Sequence, residues 1–158
     1  MARLIRLDII NGNPRSFVAP SNLEQGLFLE IIGKAENTHL DVEADYEAYK
    51  VQLANNNTAR GQLLLHASVA NQYDATKGEI DFVLEAGKVG RGYQPIMGDI
   101  VTLAADLFAG GEPTVGSTVG LAANGMLSND GDLAVVEALE DLTIPGEEPQ
   151  KSVVIRFL

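Results

Sequence analysis

Apolar and polar positions in this chain alternate over short runs broken by turn residues, and few windows repeat at the three-to-four spacing of a helix. Leu4–Ile10 (LIRLDII) reads as a strand with Ile5, Leu7 and Ile9 toward a core and Leu4, Arg6, Asp8 and Ile10 on the opposite face. NGNP at 11–14 stops it with turn chemistry. Leu27–Gly33 (LFLEIIG) reads as a buried strand, and Thr38–Ala44 alternates, with Leu40, Val42 and Ala44 inward and His39, Asp41 and Glu43 to solvent. Gly61–Val69 (GQLLLHASV) is apolar on both faces, which predicts a central strand. Lys88–Tyr93 and Asp99–Leu103 follow as strands joined by QPIMG. The closing KSVVIRF puts Val153, Ile155 and Phe157 on one face.

Helical signals are few. Pro20, Ser21 and Glu24 could start a helix, but Gly26 arrives within a turn, and an extended arm is an equal reading. The best helical candidate is ADYEAYKVQLANNN, where Tyr46, Tyr49 and Leu53 lie three and four apart. LAVVEALEDLTI fits either a strand or an amphipathic helix. Asn124-Gly125, between apolar runs, predicts a type I′ hairpin turn, whose two central residues both need positive φ.

GDIVTL at 98, GSTVGL at 116 and GDLAVV at 131 each open with glycine, pass through a small polar residue and turn apolar. A phosphate-cradling loop would end in Lys-Ser or Lys-Thr and feed a helix, and none of the three does. GKVGRG (Gly87–Gly92) has the right flavour but runs into a strand. The spacings are unequal and too short for the common repeat modules, so the hexads read as successive strands of one meander or barrel. With 16 glycines and 6 prolines punctuating 158 residues, the expected fold is mainly β. It is a small barrel or sandwich with hairpins, an extended N-terminal arm and at most one or two short helices. The chain reads as a single domain, with residues 1–26 as first strand and arm and 27–158 as the β-rich body.

Composition narrows function by exclusion. A net charge of −11 repels a phosphate backbone, which makes nucleic acid a poor partner. The absence of cysteine removes disulfides, thiolate catalysis and thiolate metal sites. No apolar run reaches the ~18 residues of a membrane span, and the opening residues lack the apolar stretch of a secretory signal. The two histidines, His39 and His66, read as one surface and one partly buried side chain. No Gly-x-Ser-x-Gly nucleophile elbow occurs. SNDGD and GEEP lack calcium-loop spacing, and the pairs Glu79/Asp81 and Glu140/Asp141 declare no distance in space. The absence of Trp argues against a sugar cleft. No catalytic residue, cofactor site or metal site is therefore expected. A structural or interaction protein fits better, because exposed strand edges must be covered and assembly is one way to cover them.

Several stretches carry a resemblance. PSNLEQG near the start, YD…DFVLEAGKVGRGY in the middle, GDIVTL, and VGSTVGLAANGML toward the end are similar to small proteins that decorate or cement tailed-bacteriophage heads. The resemblance covers most of the chain and brings no catalytic residue. It implies a non-enzymatic virion protein on the outer capsid surface, bound to the major capsid protein as a homo-oligomer, with no nucleic acid or membrane partner. Other classes kept open are a head-fibre or tail anchor and a β-barrel enzyme or small-ligand carrier. Contacts are expected from Phe17–Leu27, from Tyr73–Asp81 and from the C-terminal strand, with Phe17, Val18, Pro20, Asn22, Leu23, Tyr73, Asp74 and Phe82 as the named residues. On this reading, deleting residues 1–26 removes capsid binding and leaves most of the β-structure.

Overall fold

A computed structural model describes residues 4–34, 48–68, 83–142 and 150–158. Thirteen strands run through these segments: β1 (Leu4–Ile9), β2 (Asn13–Val18), β3 (Leu23–Glu24), β4 (Phe28–Lys34), β5 (Tyr49–Leu53), β6 (Leu63–His66), β7 (Val83–Leu84), β8 (Val89–Gln94), β9 (Ile100–Ala104), β10 (Thr118–Leu121), β11 (Leu127–Ser128), β12 (Ala134–Leu142) and β13 (Gln150–Phe157). The fold is mainly β, and among the described residues no helix reaches seven residues. Described helical structure comprises the three-residue 3₁₀ turns Arg60–Gln62, Ala105–Leu107 and Ala123–Gly125.

Five strands close a barrel in the order β2-β5-β4-β6-β8, and six form a sheet in the order β1-β9-β13-β12-β10-β11. The β2–β5 pair is parallel, and the other barrel pairs are antiparallel. A two-stranded ribbon, β3–β7, sets Leu23 opposite Leu84, and both side chains join the barrel's apolar cluster.

Two cores follow from strand alternation. Leu29 and Leu64 point into the barrel with Phe17, Ala19 and Val51. Their neighbours Phe28, Leu63 and Leu65 point the other way, into a larger core with Val101, Leu103, Val136, Val153, Ile155 and Phe157 of the sheet. The double apolarity of Gly61–Val69 thus has a physical cause: β6 separates two dry compartments. The barrel interior is filled by side chains, as a five-stranded cylinder requires. β8 accommodates this with glycine. A Cβ on Gly90 would lie 2.8 Å from Phe17 Cζ, and one on Gly92 would lie 2.7 Å from Leu64 Cγ. GKVGRG therefore runs into a strand whose inward positions leave room for neighbouring side chains.

The first strand departs from the simple alternation. Leu4, Leu7 and Ile10 pack against the larger core, whereas Ile9 is exposed. The ladder to β9 slips between Leu4 and Arg6 and again between Leu7 and Ile9. Each bulge inserts one residue and flips the phase of those that follow, so the expected inward set Ile5, Leu7 and Ile9 does not hold.

The helical candidate is also corrected. Tyr49–Leu53 is β5, with Val51 buried in the barrel and Lys50 and Gln52 exposed. Partners on both sides, β2 and β4, supply ladder hydrogen bonds, and tertiary pairing overrides a local three-to-four spacing. Tyr46 and the strand expected at Thr38–Ala44 lie outside the described residues. LAVVEALEDLTI resolves as a strand over Ala134–Leu142.

The hexads are strand openings. Gly98, Gly116 and Gly131 have φ of 93°, 87° and 139°, and strands begin two or three residues later at Ile100, Thr118 and Ala134. They do not form a meander, because β13 inserts between β9 and β12. The Asn124-Gly125 turn is as expected. Both residues have positive φ, 60° and 74°, the amide of Met126 donates to the carbonyl of Ala123 at 3.3 Å, and β10 pairs with β11 around it.

The N-terminal arm reading fails on placement. β2 forms a barrel stave paired to both β8 and β5, and Phe17 and Leu23 are buried. Deleting residues 1–26 should abolish cooperative unfolding and most far-ultraviolet β signal, because it opens the barrel and strips an edge of the sheet. A truncated chain with a native-like spectrum and a sharp thermal transition would contradict this.

Candidate functional site

Asp99, the second residue of GDIVTL, is fully buried at the junction of barrel and sheet. Its carboxylate accepts hydrogen bonds from the amides of Asn11 (2.8 Å), Gly12 (3.1 Å) and Ile96 (3.0 Å). Its own backbone continues the junction: the Asp99 carbonyl accepts from the Phe157 amide at 2.9 Å, and the Gly98 amide donates to the Phe157 carbonyl at 2.9 Å. The side chain thus fixes the β1–β2 turn to the β8–β9 turn, and the backbone of Gly98 and Asp99 holds the end of β13 to them. A carboxylate is suited to this because it offers several acceptor sites and no donor.

The segments held by Asp99 carry apolar residues outward. Ile9 is 50% exposed, Ile96 48%, Met97 79% and Leu158 38%. Ile9 lies opposite Ile100 in the ladder, Ile96 and Met97 form the turn that closes on Asp99, and Leu158 follows Phe157. Arg60 reaches across to the Leu158 carbonyl at 2.8 Å. Large apolar side chains displayed together on a surface are characteristic of contact sites, where such residues gain from leaving water.

A second cluster lies at the barrel's β6 end. His66 Nδ1 is 2.8 Å from the Glu24 carbonyl, and Nε2 is 2.8 Å from Ser68 Oγ. The carbonyl can only accept, so Nδ1 carries the proton and Nε2 accepts from the Ser68 hydroxyl. Ser68 Oγ in turn accepts from the Arg91 amide at 3.0 Å. Phe17 stands edge-on to the imidazole, with centroids 5.4 Å apart. Serine and histidine meet here in the geometry of a nucleophile and its base. Both are buried, and every polar atom of the group is engaged in tying β3, β6 and β8 together. The cluster acts as an internal strut. Sequence reading placed His66 as partly buried and missed Ser68; the His-x-Ser spacing at a strand end, which puts both on one side, was the available signal.

The expected contact residues divide. Phe17 and Leu23 are buried and unavailable to a partner. Val18 is half-buried, while Pro20 and Asn22 are exposed, and Asn22 Oδ1 accepts from the Ala86 amide at 3.0 Å. Tyr73, Asp74 and Phe82 lie outside the described residues, as does the whole of Tyr73–Asp81. The C-terminal strand β13 has β12 on one side and β9 on the other, so it offers no open edge. The apolar rim around Asp99 was not foreseen, because its members come from three distant stretches.

Among the described residues, no group of three or more His, Asp or Glu side chains is arranged to hold a metal ion, and no helix is long and apolar enough to cross a membrane. Comparison with protein-family models, with curated proteins and with solved structures finds no match.

Two outcomes test these clusters. Asp99→Ala should destabilise the fold by about 4 kcal/mol in urea titration, since three buried amides lose a charged acceptor. Asp99→Asn should cost less, and equal stability of Asp99→Ala and wild type would refute the clamp. Burial pushes the His66 pKa below its ordinary 6.5, against a smaller upward pull from the Glu24 carbonyl. The unfolded chain therefore binds a proton that the folded chain refuses. Stability is full above pH 6.5 and falls as pH drops through that value toward the folded pKa. The slope should approach about 1.4 kcal/mol per pH unit at most, and His66→Gln should lack this component. Parallel profiles for the two proteins would show that His66 does not titrate between the states as described.

Proposed function

We propose that this chain is a non-enzymatic structural protein of a tailed-phage head, binding the lattice of the major capsid protein and stabilising the shell. The observation that carries the reading is the apolar rim of Ile9, Ile96, Met97 and Leu158, displayed on turns that Asp99 locks from beneath. A preorganised apolar surface loses little conformational freedom on docking, so more of its burial appears as affinity. The resemblance of PSNLEQG, VLEAGKVGRGY and GDIVTL to head-decoration proteins supports the same reading, and it supplies the nature of the partner.

The stabilising action follows from linkage. A protein that binds the assembled lattice more tightly than its free subunits shifts the equilibrium toward the shell. The contact differs from the one expected from sequence: the rim replaces the buried Phe17 and Leu23 as the docking element.

Mass spectrometry of purified particles should find this protein at a copy number comparable with that of the major capsid protein. A handful of copies per particle would point to a tail or portal part, and absence from particles would overturn the reading. Particles stripped of the protein should rebind wild type. They should bind the double variant Ile96→Asp/Met97→Asp at least about tenfold more weakly, the effect of losing about 1.4 kcal/mol, with an unchanged circular dichroism spectrum. Equal occupancy by the two would remove the rim from the contact.

A further inference from the structure

The charge of this chain is divided between its two layers. The described barrel segments, residues 13–34, 48–68 and 83–98, carry six cations (Arg15, Lys34, Lys50, Arg60, Lys88, Arg91) against three carboxylates (Glu24, Glu30, Glu85). The described sheet segments, residues 4–12, 99–142 and 150–158, carry three cations (Arg6, Lys151, Arg156) against nine carboxylates. The cations on the sheet side are all paired: Arg6 with Asp8 and Glu140, Lys151 with Glu112, and Arg156 with Glu137. Among the described residues, no carboxylate pairs with Lys50 or Arg91 on the barrel.

Lys50 and Arg91 belong to one wall. Val51 and Tyr49 pack with the barrel interior, so alternation turns Lys50 outward. Gly90 and Gly92 face the interior, so Arg91 between them faces out. The ladders β8–β2 and β2–β5 place Val89 opposite Val18, Val18 opposite Lys50, and Arg91 opposite Ser16. The result is a three-strand surface with an apolar centre, Val18 and a 45% exposed Val89, flanked by two cations that have no carboxylate partner among the described residues.

The sheet carries its counterpart. Glu112, Leu139, Glu140, Asp141 and Lys151 line a cleft of about 170 Å³. Leu139 is partly exposed within it, and Glu112, Glu140 and Asp141 outnumber Lys151; Lys151 pairs with Glu112 and Arg6 with Glu140, which leaves Asp141 without a cation among the described residues. Each surface has an apolar residue framed by charge, and the two signs are opposite.

We propose that a second copy of this chain occupies the barrel wall, seating its acidic cleft against Val18, Lys50, Val89 and Arg91. The contact is head-to-tail, since wall and cleft are different surfaces of one molecule. Such contacts close into a ring when the rotation between copies permits. Opposite charge sets the pairing and the encounter rate, and Val89 against Leu139 supplies apolar burial. This contact involves neither Ile96 nor Met97, so it stands independently of docking on a capsid.

Sedimentation of the purified chain at high micromolar concentration tests it. Wild type should be oligomeric at low salt, and its dissociation constant should weaken at least about tenfold as the Debye length shrinks from about 10 Å at 0.1 M toward 3 Å at 1 M salt. Lys50→Glu/Arg91→Glu should be monomeric, and so should Glu112→Lys/Asp141→Lys, each with a wild-type circular dichroism spectrum. Mixing the two variants should restore a complex, because the acidified wall of one then meets the basic cleft of the other. A wild type that remains monomeric at low salt overturns the proposal. Variants that keep the wild-type mass overturn it as well, and so does a mixture that stays monomeric.

Discussion

The structure depends on a wall that is dry on both sides. β4 and β6 send Leu29 and Leu64 into the barrel and Phe28, Leu63 and Leu65 into the space beneath the sheet. Neither core closes without that wall. The barrel would lose two of its five staves, and the sheet would lose the surface that covers Val101, Leu103, Val153 and Ile155. At about 1.5–3 kcal/mol for each large apolar side chain fully buried, these five residues bind the two layers into one cooperative unit. Phe28 and Phe157, edge-on with centroids 6.2 Å apart, meet across the interface.

Polar contacts then fix how the layers are aligned. Burial of Leu and Phe is non-directional, whereas the Asp99 carboxylate accepts from three amides in two turns at defined positions. The His66–Ser68 strut performs the same task at the other group of loops, joining β3 and β8 to β6. Both clusters use residue types that serve as catalysts elsewhere, and both spend their hydrogen-bonding capacity internally. Among the described residues, the apolar rim and the separated charge lie outward.

The irregularities of β1 belong to the same design. Two bulges in six residues bend an edge strand and interrupt its ladder, which discourages indiscriminate edge-to-edge pairing. Arg6 and Asp8 reinforce this by turning toward the sheet's own face, where Thr102 Oγ donates to Asp8 at 2.7 Å and Arg6 donates to Glu140 at 3.2 Å. These bonds tie β1 across the face of the sheet to β9 and β12.

Local pattern determined a good deal of this protein. The mainly β class, the strands around Leu27–Gly33, Gly61–Val69 and Lys88–Tyr93, the inward face Val153-Ile155-Phe157 and the Asn124-Gly125 turn were all legible, because alternation and positive-φ demands act over a few residues. Tertiary structure decided the rest. Whether Tyr49–Leu53 became helix or strand depended on β2 and β4 lying on either side. Whether Phe17 belonged to an arm or a barrel depended on pairing with Gly90, far along the chain. The faces of β1 depended on bulges against β9. The Asp99 rim and the split of charge between wall and cleft join residues that sequence keeps apart. Hydrophobic periodicity is a short-range signal, whereas strand partners, bulges and surface charge patterns are properties of the closed fold.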